Sequence, residues 1–266
     1  MDAFRLYWRL VGARARGQLQ YKLSFGLLTL ANVCFTVTEL LAVLVAVRHV
    51  PHLAGWSIVE VVFLFGLSYL AFAFAELLSA GFDGFHRYVV EGTFDRVLVR
   101  PLGAFFQIFA SDLALRRVGR ASAGVIALAV ALPALPVVWT LDRLVVLALG
   151  LASGVAIYFA IFVVGAASAF WTTQANEAVN IFTNGGNLIT SYPLDIFDGW
   201  LRRLITFVVP LAFINYYPAL YVLGRSDPLG LPDWARLASP LAAAAALVAA
   251  SLIWSAGVRR YSSTGS

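Results

Sequence analysis

Charge is scarce in this chain: only 12% of its 266 residues are Asp, Glu, Lys or Arg, about half the ~25% of an ordinary soluble domain. That shortage excludes a normal water-solvated surface. A single cysteine, Cys34, excludes an internal disulfide. Lysine is nearly absent as well. Lys22 stands alone and outside any glycine-rich stretch, so there is no Gly-x-x-x-x-Gly-Lys-Ser/Thr phosphate loop and no expectation of nucleotide hydrolysis by this chain. His-Glu-x-x-His, Cys-x-x-Cys and Gly-x-Ser-x-Gly are missing too, which removes the usual metal and nucleophile signatures of hydrolases. His49 and His52 flank Pro51 but lack a third ligand, so no metal site is expected.

Apolar residues are abundant at 61%, and they fall in blocks. A bilayer core of about 30 Å needs roughly 20 apolar residues of helix. Leu23 to Val47, Trp56 to Ala80, Val118 to Val138, Leu144 to Ala166 and Ala238 to Val258 each meet that length. The first block is too long for the apolar core of a cleavable signal and is expected to remain as an anchor. Backbone groups in lipid must be satisfied within the segment, so helices are expected, and the alternation of a β-barrel is absent. The fold class is therefore all-α and integral to the membrane, with six transmembrane helices in one domain spanning 1–266.

The formal charge of +5 is explained by placement rather than by nucleic acid. With Arg202 and Arg203 left aside, thirteen Arg and Lys residues flank one side of these blocks, in the stretches before Leu23, from Ala80 to Arg120 at the entry of the third block, and after Val258; four (Arg48, Arg143, Arg225, Arg236) flank the other. By the positive-inside rule the richer side is cytoplasmic. Both termini then lie inside, which needs an even number of spans. Eighteen of the nineteen basic residues are Arg and alanine runs are frequent, the usage of a GC-rich bacterial genome, so the expected address is the plasma (inner) membrane of a bacterium.

Residues 1–22 read as an interfacial helix. Phe4, Tyr7, Trp8 and Val11 repeat at helical spacing, with Arg5, Arg9 and Arg16 on another side, the pattern of a basic helix lying on anionic lipid. Residues 23–80 hold helices one and two, and 81–115 form the longest polar loop. Within that loop Phe94, Val97 and Leu98 offer an apolar face, Asp95, Arg96 and Arg100 are available for partner contacts, and Pro101 ends the helix.

The stretch from Phe170 to Leu223 leaves two topologies open. Hydropathy alone makes Leu204 to Leu223 the fifth span, with Arg202 and Arg203 as its cytoplasmic flank, although Pro210 and Pro218 interrupt it. Alternatively Trp171 to Tyr192 spans, despite Gln174, Asn176, Glu177, Asn180, Asn184 and Asn187, and must then face protein or water. Helices three to five occupy 116–192 in that version, 193–237 dips into the outer leaflet and returns as two half-helices, and 238–266 holds helix six and the tail. Four carboxylates fall in apolar segments: Glu39, Glu60, Glu76 and Glu177. Intramembrane charge is costly and often functional, so a proton- or ion-coupled carrier or channel is one reading. The plainer one has Glu60 and Glu76 reaching the interfaces and Glu39 pairing with a polar neighbour such as an Arg of another helix.

The order of interfacial helix, two spans, basic cytoplasmic loop and four more spans resembles the type-2 permeases of ATP-binding-cassette (ABC) exporters. Two stretches sharpen the resemblance: Glu91-Gly-Thr-Phe-Asp-Arg-Val-Leu-Val-Arg-Pro-Leu, and Tyr192-Pro-Leu-Asp-Ile-Phe followed by Leu211-Ala-Phe-Ile-Asn-Tyr-Tyr-Pro-Ala-Leu-Tyr-Val-Leu-Gly-Arg. Asp198 stands where a proline is expected. The resemblance implies a permease without catalytic residues or a cofactor of its own. It pairs with a second copy or a sister permease and is driven by separate ATPase subunits that bind ATP and magnesium. Phe85 to Arg100 becomes the coupling helix, contacting the ATPase through Phe85, Arg87, Glu91, Phe94, Asp95, Arg96 and Arg100. Helices two and five line the translocation path between the two permeases, with Glu76, Asn176, Glu177, Asn180, Asn184 and Asn187 on it. The re-entrant version of the fifth span is favoured, built on Tyr192, Pro193, Pro210, Asn215, Tyr216, Tyr217 and Pro218.

Overall fold

The computed structural model describes residues 22–49, 55–112, 118–172 and 181–262. The interfacial helix expected over residues 1–22, Lys22 excepted, and the polar run with Asn176, Glu177 and Asn180 lie outside these residues. Among the described residues the chain is helical, without a β-strand. Its long helices are α1 (Lys22–His49), α2 (Ile58–Leu78), α7 (Val118–Ala134), α8 (Leu141–Ala167) and α12 (Ser239–Arg260). Three described segments are long and apolar enough to cross a membrane: Ile58–Leu78, Leu141–Phe170 and Ser239–Arg260. At 1.5 Å per residue the shortest of these reaches about 32 Å, enough for the bilayer core.

The centre of the bundle is α2, 78% of whose most apolar window is buried against 22% for α12. Two facing glycines let α7 lie close against α2. A Cβ on Gly124 would sit 2.8 Å from the Leu70 backbone nitrogen, and one on Gly66 2.8 Å from Leu128 Cγ. Packing drives helix association in lipid, and small residues at such crossings allow it. The start of α2 is fixed by a reciprocal cap: Ser57 N–H donates to Glu60 Oε2 at 2.7 Å and Glu60 N–H to Ser57 Oγ.

Two expectations are corrected here. Phe85 to Arg100 is not one helix. The loop after α2 folds as four short helices, α3 (Ala80–Asp83), α4 (Phe85–Val90), α5 (Asp95–Leu98) and α6 (Ala104–Phe109). Gly92, at φ +67°, turns the chain between α4 and α5, a left-handed conformation that glycine adopts without steric cost. Leu204 to Leu223 is not a continuous span either. A π-turn covers Leu204–Val208, Val209 is extended, Leu211–Phe213 is a 3₁₀ turn, and only Tyr216–Leu223 is a regular helix. Eight residues rise about 12 Å, well short of a bilayer. That helix is α11; the short α-helices before it are α9 (Gly186–Thr190) and α10 (Gly199–Arg203).

Candidate functional site

The short helices α3 to α6 are held by aromatic side chains. Phe85 and Phe94 are fully buried. Their rings meet at 5.3 Å and 90°, Phe85 lies 4.8 Å from Trp254 of α12, and Phe94 lies 5.5 Å from Phe170 and 5.1 Å from Tyr261. Phe82 and Phe105 close on the other side of Trp254 at 5.5 and 5.6 Å. Edge-on ring pairs of this kind add about 0.5–1.5 kcal/mol each beyond their area burial. Burial first, then the Asp95 carboxylate, holds the Tyr261 hydroxyl above the usual phenol range, so it stays protonated. Phe85 and Phe94 were expected to meet a partner. They instead clamp the loop onto the ends of α8 and α12, because an apolar ring in a polar loop is buried wherever a neighbouring helix end offers cover.

The exposed part of the loop is different. Arg87, Glu91, Arg96 and Arg100 point outward, and Asp95 is half-buried. Past the end of α5 the chain presents an apolar tip, Val99 at 84% exposure with Leu98 and Leu102 beside it. The Gln107 side-chain amide donates to the carbonyls of Val97 and Leu102 at 2.8 and 2.6 Å, which holds the tip to α6. A groove of about 820 Å³ runs beside the tip, with Arg87, Arg96 and Arg100 on its wall. Val99 escaped the sequence reading because the rings of Phe85 and Phe94 were the larger apolar signal. The available clue was Val-Arg-Pro-Leu, apolar residues at a point where proline stops further helix.

At the opposite end of the bundle the contacts are polar. Asp195 accepts the Trp56 indole N–H at 2.7 Å and the Tyr216 hydroxyl at 2.9 Å. Arg202 donates to the carbonyls of Leu194, Asp195 and Phe197 at 3.0–3.1 Å. Arg225 pairs with both oxygens of Glu60 at 2.9 Å, donates to the Gly55 carbonyl at 2.7 Å and lies 4.4 Å above the Trp56 ring. This chain of contacts puts Arg202 at the same end as Glu60 and Arg225, and away from the 81–112 loop. Arg202 therefore does not share a face with that loop, contrary to what the hydropathy reading requires. Tyr192 is half-buried, Pro193 is buried, and Pro210 lies at the turn between the Leu204–Val208 and Leu211–Phe213 segments.

Between the two ends lies a buried polar knot. Ser68 of α2 donates to Asn187 Oδ1 at 3.0 Å, and the Ser68, Tyr158 and Thr190 hydroxyls bond to one another. Asn215 donates to the carbonyls of Leu64 and Thr190 at 3.0 and 2.6 Å. The segment that leads into α11, with Tyr216, Tyr217 and Pro218 also buried, is thus pinned to α2. Asn187, a residue that the resemblance puts on the translocation path, is buried within the chain, where a polar group in lipid needs partners. Glu76 is likewise neutralised, by Arg120 at 2.8 Å. Asn184 is exposed. Glu39 lies within electrostatic reach of Tyr69 on α2 and Arg120 on α7. Helix α2 is the core of the chain, and along its far half Phe74 and Leu78 are the large apolar residues left exposed.

Residues 33–265 match the family described as ABC-2 family transporter protein. The chain belongs to the ABC-2 transporter family. It is a membrane permease of an ABC transporter, a transport subunit that is not itself catalytic and that associates with ABC ATPase subunits. No curated protein and no solved structure matches it.

Proposed function

We propose that this ABC-2 permease is the membrane half of an ATP-driven bacterial exporter. It has six spans: α1, α2, α7, α8, the segment from Trp171 to Tyr192, and α12. It forms the translocation path together with a second permease, and separate ATPase subunits drive it from the side that bears the 81–112 loop. The observation that carries this reading is the construction of that loop, whose rigid base is locked to α8 and α12 by aromatic rings and whose apolar tip and arginines are exposed. Closure of two ATPase domains moves a membrane helix only through a contact that does not yield. The buried rings supply the stiffness and Val99, Arg96 and Arg100 the contact. Asn184, Asn176, Glu177 and Asn180 remain the candidates for the path, on the fifth span. The dip between Tyr192 and Trp234 faces the outside, and both termini are in the cytoplasm of a cell whose inner membrane holds the complex.

The test is to co-express the chain with its ABC ATPase subunit and capture the complex in mild detergent. The isolated permease is expected to be inactive towards ATP and the captured complex to hydrolyse it. Robust hydrolysis by the permease alone, or an ATPase that never co-purifies with the unaltered chain, would overturn the reading.

A further inference from the structure

Arg202 and Arg203 are neighbours with opposite surroundings. Arg202 is engaged by three carbonyls, whereas Arg203 is exposed and has no hydrogen-bond or carboxylate partner among the described residues. Arg203 belongs to a strip that recurs at helical spacing along the descending half of the dip: Trp200 (67% exposed), Arg203, Leu204, Phe207 (63%) and Val208 (71%). The strip begins at the end of the bundle that carries Asp195 and Glu60, and it runs inward. An exposed indole and a guanidinium at such a level are the side chains that sit at a headgroup layer.

The lower end of the strip opens into a second feature. Val208 and Pro210 form one wall of an apolar notch of about 380 Å³, whose other walls include Ala160 and Gly165 of α8 and Ala246 and Ala249 of α12. That is roughly a dozen times the ~30 Å³ share of a water molecule, so it suits a run of methylenes and not a whole lipid. The notch exists because the chain breaks at Val209 and Pro210 while small residues on α8 and α12 leave the space unfilled. From Arg203 to Val208 is five residues, about 8 Å of helical rise, so one amphiphile can touch both.

We propose that this surface binds one phospholipid of the leaflet on the re-entrant side, its phosphate on Arg203 beside Trp200 and one acyl chain in the notch beneath Val208. A guanidinium gives a phosphate two parallel hydrogen bonds, and the tail covers the irregular backbone at Val209 and Pro210, which lipid-exposed protein otherwise avoids. The bound lipid is thus a wedge that supports the descending half of the dip, as Asn215 supports the returning half.

Native mass spectrometry of the purified chain from nanodiscs of palmitoyl-oleoyl phosphatidylethanolamine and phosphatidylglycerol tests this without any ATPase, so its outcome is independent of the exporter reading. The unaltered protein is expected to retain one phospholipid after detergent washing. Arg203→Gln should lower that retention at least tenfold, and Arg203→Lys should keep most of it. Ala249→Trp, which fills the notch from an exposed position, should also lose the lipid. Because Arg203 is exposed, Arg203→Gln tests the phosphate contact even if Ala249→Trp fails to fold. Equal retention by Arg203→Gln and the unaltered chain would overturn the proposal. So would equal retention of diacylglycerol with the same chains, or a lipid-free dimer that buries the strip against a second copy.

Discussion

Two tryptophans mark the two ends of this permease, and they are used in opposite ways. Trp254 is surrounded by the rings of Phe82, Phe85, Phe105 and Phe170 at 4.8–5.6 Å. Trp56 gives its N–H to Asp195 and its face to the Arg225 guanidinium. Ring packing is short-ranged and dense, so it makes a stiff joint between a loop and two helix ends. Directional hydrogen bonds and ion pairs instead fix particular residues to one another, which suits a segment whose backbone has little regular helix. The first end is fit to transmit force and the second to hold an irregular shape.

Breaking the joints separately is expected to show this difference. The largest effect is predicted for Phe94→Asp, which removes a buried ring and places a charge among the others. Loss of a buried Phe alone costs about 3–5 kcal/mol, so the variant should unfold at markedly lower temperature in detergent and lose the ATPase as a consequence. Glu60→Ala leaves Arg225 unpaired on the Trp56 ring. Removing one partner of a buried pair costs about 3–5 kcal/mol, and here somewhat less because the Arg225 side chain is 29% exposed. Chemical denaturation should show a loss of about 1–3 kcal/mol, with ATPase capture retained by the molecules that remain folded. Asn187→Ala breaks only the polar knot, where an interhelical hydrogen bond in a membrane protein averages about 0.6 kcal/mol. A shift of about 1 kcal/mol is expected, and a much larger one would mean that the knot, rather than the two ends, carries the fold. Val99→Asp should leave the unfolding transition where it is and still abolish ATPase capture, since Val99 touches little of its own chain. Unchanged capture by a correctly inserted Val99→Asp would place the docking contact elsewhere.

The spans themselves were legible because lipid makes hydrophobic length a direct signal. Trp56 to Ala80, Leu144 to Ala166 and Ala238 to Val258 agree with Ile58–Leu78, Leu141–Ala167 and Ser239–Arg260 to within a few residues. The break near Pro210 and the polar character of Asn215-Tyr-Tyr-Pro were legible for the same reason, since neither suits a lipid-facing helix. What escaped was any property set by residues far apart in the chain. Phe94 is buried by Phe170 and Tyr261, more than seventy positions away, and local periodicity carries no trace of that. Asp195 was part of a recognised stretch, yet nothing in its neighbours announces Trp56 as its donor. Asn187 reads as a path residue for lack of any view of Ser68 and Tyr158. The charge rule weighed Arg202 with Arg203 as a pair, whereas folding turns one to carbonyls and the other outward.

The central claim is that the Val99 tip and the dip near Asp198 lie on opposite faces of the membrane, one toward the ATPase and one toward the outside. Single cysteines at these positions, Val99→Cys and Asp198→Cys on a Cys34→Ser background, can be labelled in intact cells with an impermeant thiol reagent. Both side chains are exposed in the fold, so reactivity reports on the face and not on burial. The account predicts that Asp198→Cys labels in intact cells and that Val99→Cys labels only after the membrane is permeabilised. Labelling of both from the same side, or of Val99→Cys alone from outside, would contradict it.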